Sequence, residues 1–210
     1  MEAARGLFAD KGYLATGVAE IRAVAGVHSG SLYHAFPSKQ DILIAVLENY
    51  RDQMDVRLLA PAWRGVEDPI ERIFALLAAY RRMLISSDFL FGCPIGFVAL
   101  ELHRPHDSVR RLLCENFDNW TACVRACLET VRLPSEVDKD TLATFVLTTM
   151  EGAVMLGRTQ RSVVPFDRAI GVLKDYVERL LSSAGELSPR KKPVATRSRS
   201  TGKSKPRART

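Results

Sequence analysis

The segment from Thr16 to Lys39 restricts the possible folds of this 210-residue chain more than any other part of the sequence. It contains two short stretches with helical patterning, about residues 17–24 and 28–34, and Thr16 stands where the N-cap of the first belongs. Gly26 lies between them and tolerates a tight turn. Such a pair is typical of a helix-turn-helix, whose second helix enters the major groove of DNA. Four apolar residues are expected to pack the two helices together: Ile21, Val24, Val27 and Leu32.

The polar residues of this segment are the candidate DNA contacts. Ser and His side chains can hydrogen-bond base edges and phosphates, and a Tyr hydroxyl can reach a phosphate. The helix that is expected after Ser38 adds backbone N–H groups and the Lys39 ammonium. His34 fits a solvated surface residue equally well, and a three-helix core without DNA contacts is the alternative for the whole segment. The predicted contacts are Thr16, Gly17, His28, Ser29, Ser31, Tyr33, His34 and Lys39.

Helical periodicity continues through nearly all of the chain before residue 186, and we find no segment that alternates as a half-buried strand does. Ser38 is the expected cap of a fourth helix, and the loop around Pro61 is expected to end it. The sequence therefore predicts an all-α fold of about nine helices. Its expected parts are an N-terminal three-helix helix-turn-helix domain, residues 1–47, a C-terminal helical bundle, residues 48–185, and a tail, residues 186–210.

The amino-acid sequence of the N-terminal segment is more specific than its helical pattern. Residues 7–48 read LFADKGYLATGVAEIRAVAGVHSGSLYHAFPSKQDILIAVLE. This stretch resembles the N-terminal domain of the TetR family of bacterial repressors, and the resemblance covers residues 1 to about 48. The matching positions are Gly12-Tyr13, Thr16, Ala25-Gly26-Val27, Gly30-Ser31-Leu32-Tyr33, Phe36 and Lys39.

This resemblance implies a function. Members of the family are all-helical homodimers that bind a palindromic operator and release it when a small molecule enters the C-terminal domain. The chain is therefore expected to be a homodimeric repressor that binds double-stranded operator DNA and an unidentified inducer. The family usually has further residues, often basic ones, before Ala3. It often has Lys or Pro in place of Ser29, so one phosphate contact is expected to be missing here.

A second resemblance concerns the segment FLFGCPIGFVALEL, residues 89–102, which is similar to a Gly-Cys-Pro block in one subset of the family's C-terminal domains. Ligand pockets are mostly apolar with a few polar groups. A pocket is therefore expected here, lined by Phe89, Phe91, Cys93, Phe97, Leu100, His103, Trp120, Cys123 and Met150.

Cys93 leaves two alternatives open. Pro94 can begin a helix, and a thiolate at a helix N-terminus is favoured, which would make the chain a thiol-based electrophile or redox sensor of the same fold. Alternatively, Cys93 is a buried small apolar residue. An enzyme using Cys93 with His103 or His106 is not expected, because nothing orders these residues as nucleophile, base and orienter. Neither a metal site nor a cofactor is predicted.

The last two predicted helices form the dimer interface by resemblance. Small residues there would let helices approach closely, although an ordinary intramolecular core explains the same pattern. The predicted interface residues are Gly152, Ala153, Leu156, Gly157, Leu173 and Val177.

Charge is distributed unevenly along the chain. Residues 188–210 hold nine of the 30 basic residues and no acidic one, so the remainder carries a net charge of −3. This tail is expected to be disordered, and it either adds salt-sensitive phosphate affinity or is a passive solubilising arm. The alternative in which the tail coats DNA without specificity predicts equal affinity for all sequences. Without a signal peptide or a membrane-length apolar run, the chain is expected to be cytoplasmic, with its four cysteines as free thiols.

Overall fold

A computed structural model describes residues 1–186. These residues form ten α-helices and contain no β-strand, which confirms the all-α fold. None of these helices is long and apolar enough to cross a membrane. The predicted basic tail lies outside the described residues, apart from Glu186 at the end of the last helix. The helices are α1 (Glu2–Lys11), α2 (Val18–Ala25), α3 (Ser29–Ala35), α4 (Lys39–Asp52), α5 (Ala60–Trp63), α6 (Pro69–Ser86), α7 (Pro94–Glu101), α8 (Asp107–Glu129), α9 (Lys139–Gln160) and α10 (Val164–Glu186).

The first three helices pack around a small apolar centre that continues into α4. Phe8 of α1, Ile21 of α2 and Leu32 of α3 are buried there. Val24 and Val27 are not: they are 61% and 39% exposed, so the expectation that they pack α2 against α3 is wrong. The physical reason is that Gly26, with φ of +66°, turns the chain immediately after α2 and leaves both valines on the outer side of the corner.

Helix α4 begins as the sequence predicts and connects the N-terminal helices to the bundle. The Ser38 hydroxyl accepts a hydrogen bond from the Asp41 N–H, and the Asp41 carboxylate accepts one from the Ser38 N–H, a reciprocal capping box. Further along, the amide of buried Asn116 on α8 donates to the Leu47 carbonyl at 3.1 Å. Helix α4 is therefore held to the bundle by a buried polar contact as well as by its apolar face.

The chain after α4 differs from the expected loop. A π-helical segment, Asp55–Leu59, is followed directly by α5, and Pro61 lies in the first turn of that short helix. A proline is compatible with this position because the first N–H groups of a helix have no intrahelical partner. The described residues thus contain ten α-helices rather than about nine. Helices α6, α8, α9 and α10 then form the bundle, whose fully buried side chains include Leu77, Leu84, Leu128 and Met150.

Candidate DNA-binding surface and ligand cavity

Helix α3 presents its polar residues to the outside. His28, which precedes the helix as its N-cap residue, is exposed, and so are Ser29, Ser31, Tyr33 and His34. Leu32 is the buried residue of this helix and belongs to the apolar core of the protein. The side chains that the sequence assigns to DNA contact on this helix therefore lie on one accessible element, with a helix N-terminus free to face a phosphate.

Arg22 belongs to this surface, although the sequence reading did not select it. Its guanidinium, on α2, donates to the Ser29 hydroxyl at 3.0 Å and so connects the two helices of the motif. Both residues are exposed. The spacing of seven residues between Arg22 and Ser29 does not indicate a contact in the sequence. The turn between α2 and α3 brings the two side chains together.

The structure contradicts the predicted roles of Thr16. Its side chain is 1% exposed, and its hydroxyl donates to the carbonyls of Gly12 at 2.7 Å and Leu7 at 3.2 Å. The N-cap of α2 is Gly17, which is exposed. Thr16 therefore neither caps α2 nor offers its hydroxyl to a phosphate, because it ties the end of α1 to the following turn.

Lys39 is half-buried at the start of α4. Its ammonium donates to the Leu14 carbonyl at 3.2 Å and lies 4.4 Å from the centre of the Tyr13 ring, a cation–π contact. Burial lowers the pKa of Lys39, and the nearby Glu101 carboxylate raises it by a smaller amount. Lys39 therefore supports the turn between α1 and α2 in addition to any phosphate contact.

The same turn is held from the other side by Glu101, the last residue of α7. Its two carboxylate oxygens accept hydrogen bonds from the backbone N–H groups of Tyr13, at 2.8 Å, and Leu14, at 2.6 Å. Gly12 has φ of +87°, and a Cβ at this position would lie 2.8 Å from a Glu101 oxygen. A glycine is therefore required there both by the backbone and by the approach of Glu101. We call this arrangement the Glu101 clamp.

A cavity of about 390 Å³ lies between the N-terminal helices and the bundle. Three residues expected to line a pocket do so, namely Phe91, Cys93 and Trp120. The sequence reading missed the parts contributed by other elements. They include Arg5, Gly6 and Ala9 of α1, Tyr50 of α4, Arg57 of the π-helical segment, Tyr80 of α6, Asn116 and Phe117 of α8, and Leu147 and Glu151 of α9.

The other predicted pocket residues lie elsewhere. Phe89, Phe97 and Leu100 line a second, more open groove of about 650 Å³. Met150 is fully buried in the bundle, His103 is exposed, and Cys123 is half-buried on α8. None of these three lines either cavity, because Met150 packs inside the bundle and His103 and Cys123 lie on other parts of the surface.

The chemistry of Cys93 also differs from the reactive alternative. Cys93 is the N-cap of α7, and its Sγ accepts a contact from the Gly96 N–H at 3.5 Å. Burial raises the pKa of Cys93 well above its usual range, and the Glu151 carboxylate raises it further. Burial therefore disfavours the thiolate despite the helix N-terminus, which supports the alternative in which Cys93 is a buried small apolar residue. All four cysteines are free, and Cys114 is the exposed one.

Glu151 stands in the wall between the cavity and the open groove and contributes to both. Its carboxylate lies so close to the first turn of α7 that a Cβ at Gly96 would collide with it. One of its oxygens, Oε1, is buried without a hydrogen-bond partner, and burial raises the pKa of Glu151. Glu151 is therefore an unsatisfied acidic group in the cavity wall.

The predicted dimer residues divide into two sets. Ala153, Gly157, Leu173 and Val177 are buried inside the protomer, so their assignment to an interface is wrong. Leu156 is exposed, and Gly152 on the same stripe of α9 has open space beside it. Further exposed apolar residues accompany them, and Phe145 of α9 stacks edge-to-face on Tyr176 of α10 with ring centres 6.2 Å apart. We call this surface the α9–α10 face, and it comprises Phe145, Gly152, Leu156, Val172 and Tyr176.

Comparison with known proteins is consistent with this arrangement. Residues 1–46 match the family described as bacterial regulatory proteins, tetR family, and residues 69–171 match the description transcriptional regulator LmrA/YxaF-like, C-terminal domain. The transcriptional regulator AcuR of Cereibacter sphaeroides is 31% identical over 173 residues, which cover 77% of this chain and 77% of AcuR. The transcriptional repressor DhaR of Mycobacterium sp. strain GP1 is 27% identical over 186 residues, which cover 87% of this chain and 90% of DhaR.

A solved structure has a similar fold. The regulatory protein TetR from Rhodobacter sphaeroides superimposes with a TM-score of 0.72 at 27% identity, over 82% of this chain and 95% of that one. The matched sequence regions include both the helix-turn-helix and most of the bundle. The chain therefore belongs to the TetR family of transcriptional regulators and is a DNA-binding helix-turn-helix protein.

Proposed function

We propose that this regulator is a repressor that binds a palindromic operator as a homodimer and releases it when a small molecule enters the 390 Å³ cavity. The observation that carries the ligand control is the course of α7. Cys93 and Pro94, at its start, line the cavity, and Glu101, at its end, binds the backbone of the α1–α2 turn. A ligand that moves α7 therefore acts directly on the DNA-binding helices.

Helix α1 offers a second, shorter route between the two sites. Arg5, Gly6 and Ala9 of α1 are part of the cavity wall, while Phe8 of the same helix packs in the centre of the DNA-binding helices. A ligand that differs in its affinity for two positions of α1 shifts the balance between a DNA-binding state and a released state. We propose residues 1–47 and 48–185 as the DNA-binding domain and the ligand-binding and dimerisation domain.

We also propose the family subset, the cellular location and the DNA contacts of this protein. The Gly92-Cys93-Pro94 turn favours the family subset that carries such a block, and the protein would act in the cytoplasm, where its operator is. The exposed contacts for DNA are Gly17, His28, Ser29, Ser31, Tyr33 and His34, with Arg22 added. Lys39 contributes from the start of α4, where its carbonyl contact with Leu14 already orients it.

The DNA-binding role of α3 is tested with Tyr33→Phe, on a DNA site that the wild-type protein selects from random sequence. A hydrogen bond to a charged phosphate contributes about 1.5–3 kcal/mol, so the affinity should fall by at least about tenfold. Because phosphates carry no sequence information, affinity for unrelated DNA should fall by a similar factor. Fluorescence anisotropy measures both.

The control for this variant is Ser135→Ala, which removes an exposed hydroxyl between α8 and α9, outside both the DNA-binding helices and the α9–α10 face. Its affinity for the selected site should equal that of wild type. Unchanged affinity in Tyr33→Phe would remove Tyr33 from the DNA contacts. A loss confined to the selected site would instead assign Tyr33 to base recognition.

The proposed dimer is tested with Leu156→Asp. In a two-fold symmetric interface each substitution occurs twice. The dimer therefore loses the free energy gained by burying two leucine side chains, about 1.5–3 kcal/mol each. The dimer should therefore dissociate at least about a hundredfold more readily, as measured by light scattering across a dilution series. Leu100→Asp is the control, because Leu100 is exposed on α7 outside the α9–α10 face. Dissociation that is equal in the two variants would contradict the assignment of this face.

A further inference from the structure

The polar groups in the wall of the cavity define the chemistry of the molecule that fits it. Within residues 1–186, the Oε1 atom of Glu151 is buried without a hydrogen-bond partner, the carboxylate makes no salt bridge, and the side chain beside it is the uncharged Cys93 thiol. An ionised carboxylate in such a place is strongly disfavoured unless a positive charge pairs with it. The structure therefore presents a buried acidic group that has no cationic partner among the described residues.

The cavity also contains positive groups, but these already have a partner. Arg5 and Arg57 line the wall on the side of α1 and the π-helical segment. Both guanidinium groups bind the Glu2 carboxylate, Arg57 through a 2.7 Å contact. Glu2 thus offsets part of their charge. Arg158, which lines the open groove together with Glu151, lies 3.8 Å from the centre of the Phe97 ring and makes no salt bridge with Glu151.

Aromatic rings line the same cavity as the Glu151 carboxylate. Tyr80 and Trp120, both buried, stand edge-to-face with ring centres 6.4 Å apart, and Phe91, Phe117 and Tyr50 complete an apolar wall. Ring faces attract organic cations, and the attraction increases when the cation is removed from water. A carboxylate set among aromatic rings is therefore suited to an ammonium group that carries an apolar body.

Trp120 adds a second requirement. It is 4% exposed, and its indole Nε1 is buried without a hydrogen-bond partner. Indole N–H is a donor only, so it is satisfied by an acceptor atom. A ligand with one oxygen acceptor in addition to its cationic end would pair with both unsatisfied groups of the wall.

We propose that the effector of this regulator is an organic monocation with an aromatic or aliphatic body and a hydrogen-bond acceptor, held by Glu151 and Trp120. This proposal rests on the proposed ligand control of the same cavity. The volume of about 390 Å³ lies within the range of small-molecule sites and admits a ligand the size of an aromatic choline ester.

The probe that tests the proposal is benzoylcholine, compared with 3,3-dimethylbutyl benzoate, which has carbon in place of the charged nitrogen and is otherwise identical. Calorimetric titration of the full chain should give at least about tenfold tighter binding of the cation, as a 1.4 kcal/mol preference requires. A third compound, 4-phenylbutyrate, should bind more weakly than both, because its carboxylate meets Glu151.

Two variants assign the preference to the named groups. Glu151→Gln should bind both esters with similar affinity, and Trp120→Phe should weaken both by a similar factor while it keeps the preference for the cation. Glu67→Gln is the matched control, since Glu67 is an exposed residue outside the cavity, and it should behave as wild type.

The wild-type comparison decides the proposal even if a variant does not fold. Equal affinity for the two esters, tighter binding of phenylbutyrate, or no binding of any compound would overturn the cationic assignment, as would a cation preference that survives in Glu151→Gln. The proposed function fails separately. If benzoylcholine binds as expected and the affinity for the selected DNA site stays the same, ligand release is contradicted while the cationic site stands.

Discussion

Glu101→Ala is expected to weaken binding to the selected DNA site by at least about tenfold, because hydrogen bonds to a charged group contribute about 1.5–3 kcal/mol. The Glu101 clamp holds the N–H groups of Tyr13 and Leu14, at the point where α1 turns toward α2. Without it, the turn samples more conformations, and DNA binding has to order them at a cost in free energy. Fluorescence anisotropy with the selected site measures the loss.

The same variant has a local signature. Hydrogen exchange at the Tyr13 and Leu14 amides should become faster in Glu101→Ala, while exchange within α9 stays unchanged. Glu101→Gln should lie between the two proteins, since its amide oxygen can accept one of the two hydrogen bonds and its NH₂ group cannot accept the other.

Glu67→Ala is the control for a general effect of removing a negative charge from this DNA-binding protein, because Glu67 is exposed and lies between α5 and α6. It should bind the selected site at least as well as wild type. Wild-type affinity and unchanged amide protection in Glu101→Ala would show that the clamp does not position the DNA-binding helices, and α1 would then be the remaining route from the cavity.

The second large effect concerns stability. Leu84→Ala should lower the free energy of unfolding by about 3–5 kcal/mol, as for other fully buried leucines whose removal leaves a cavity. Leu84 is 0% exposed on α6, and its Cδ1 would lie 3.3 Å from a Cβ at Gly157 on α9. Because α6 and α9 lie so close together there, neighbouring side chains cannot move into the space that the leucine side chain leaves. Urea unfolding at a fixed protein concentration measures the change.

Ile85 provides a control on the same helix. It follows Leu84 directly but is 47% exposed, so Ile85→Ala should change the free energy of unfolding by less than about 1 kcal/mol. A small effect at Leu84, or equal effects at both positions, would mean that α6 and α9 are not packed as tightly as the structure shows.

The sequence predicted what short-range patterns determine. The all-α class follows from periodicity, and the Ser38 cap follows from a serine three residues before Asp41. Thr16, like Ser38, is a residue type that often caps helices, but its assignment as an N-cap is wrong, because its hydroxyl donates to the Leu7 and Gly12 carbonyls. Local pattern alone does not distinguish a capping hydroxyl from a buried one.

Long-range contacts explain the other differences between the sequence prediction and the structure. Glu101 meets Tyr13 across 88 positions of the chain, and Glu151 joins a cavity that begins at Arg5. No spacing rule connects residues that far apart. The resemblance identified the helix-turn-helix correctly, but the cavity depends on where α1 and α9 cross the start of α7, and this becomes visible only when the helices are packed.

The presence of Arg5, Gly6 and Ala9 in the cavity wall has a consequence for evolution and engineering. Residues 1–47 are not expected to be exchangeable as an independent unit, because a graft that brings in another operator specificity also replaces one side of the proposed ligand site. Chimeras with a relative's N-terminal helices would inherit part of that relative's chemical preference. Sensitivity to an effector and choice of operator are therefore expected to diverge together in descendants of this chain.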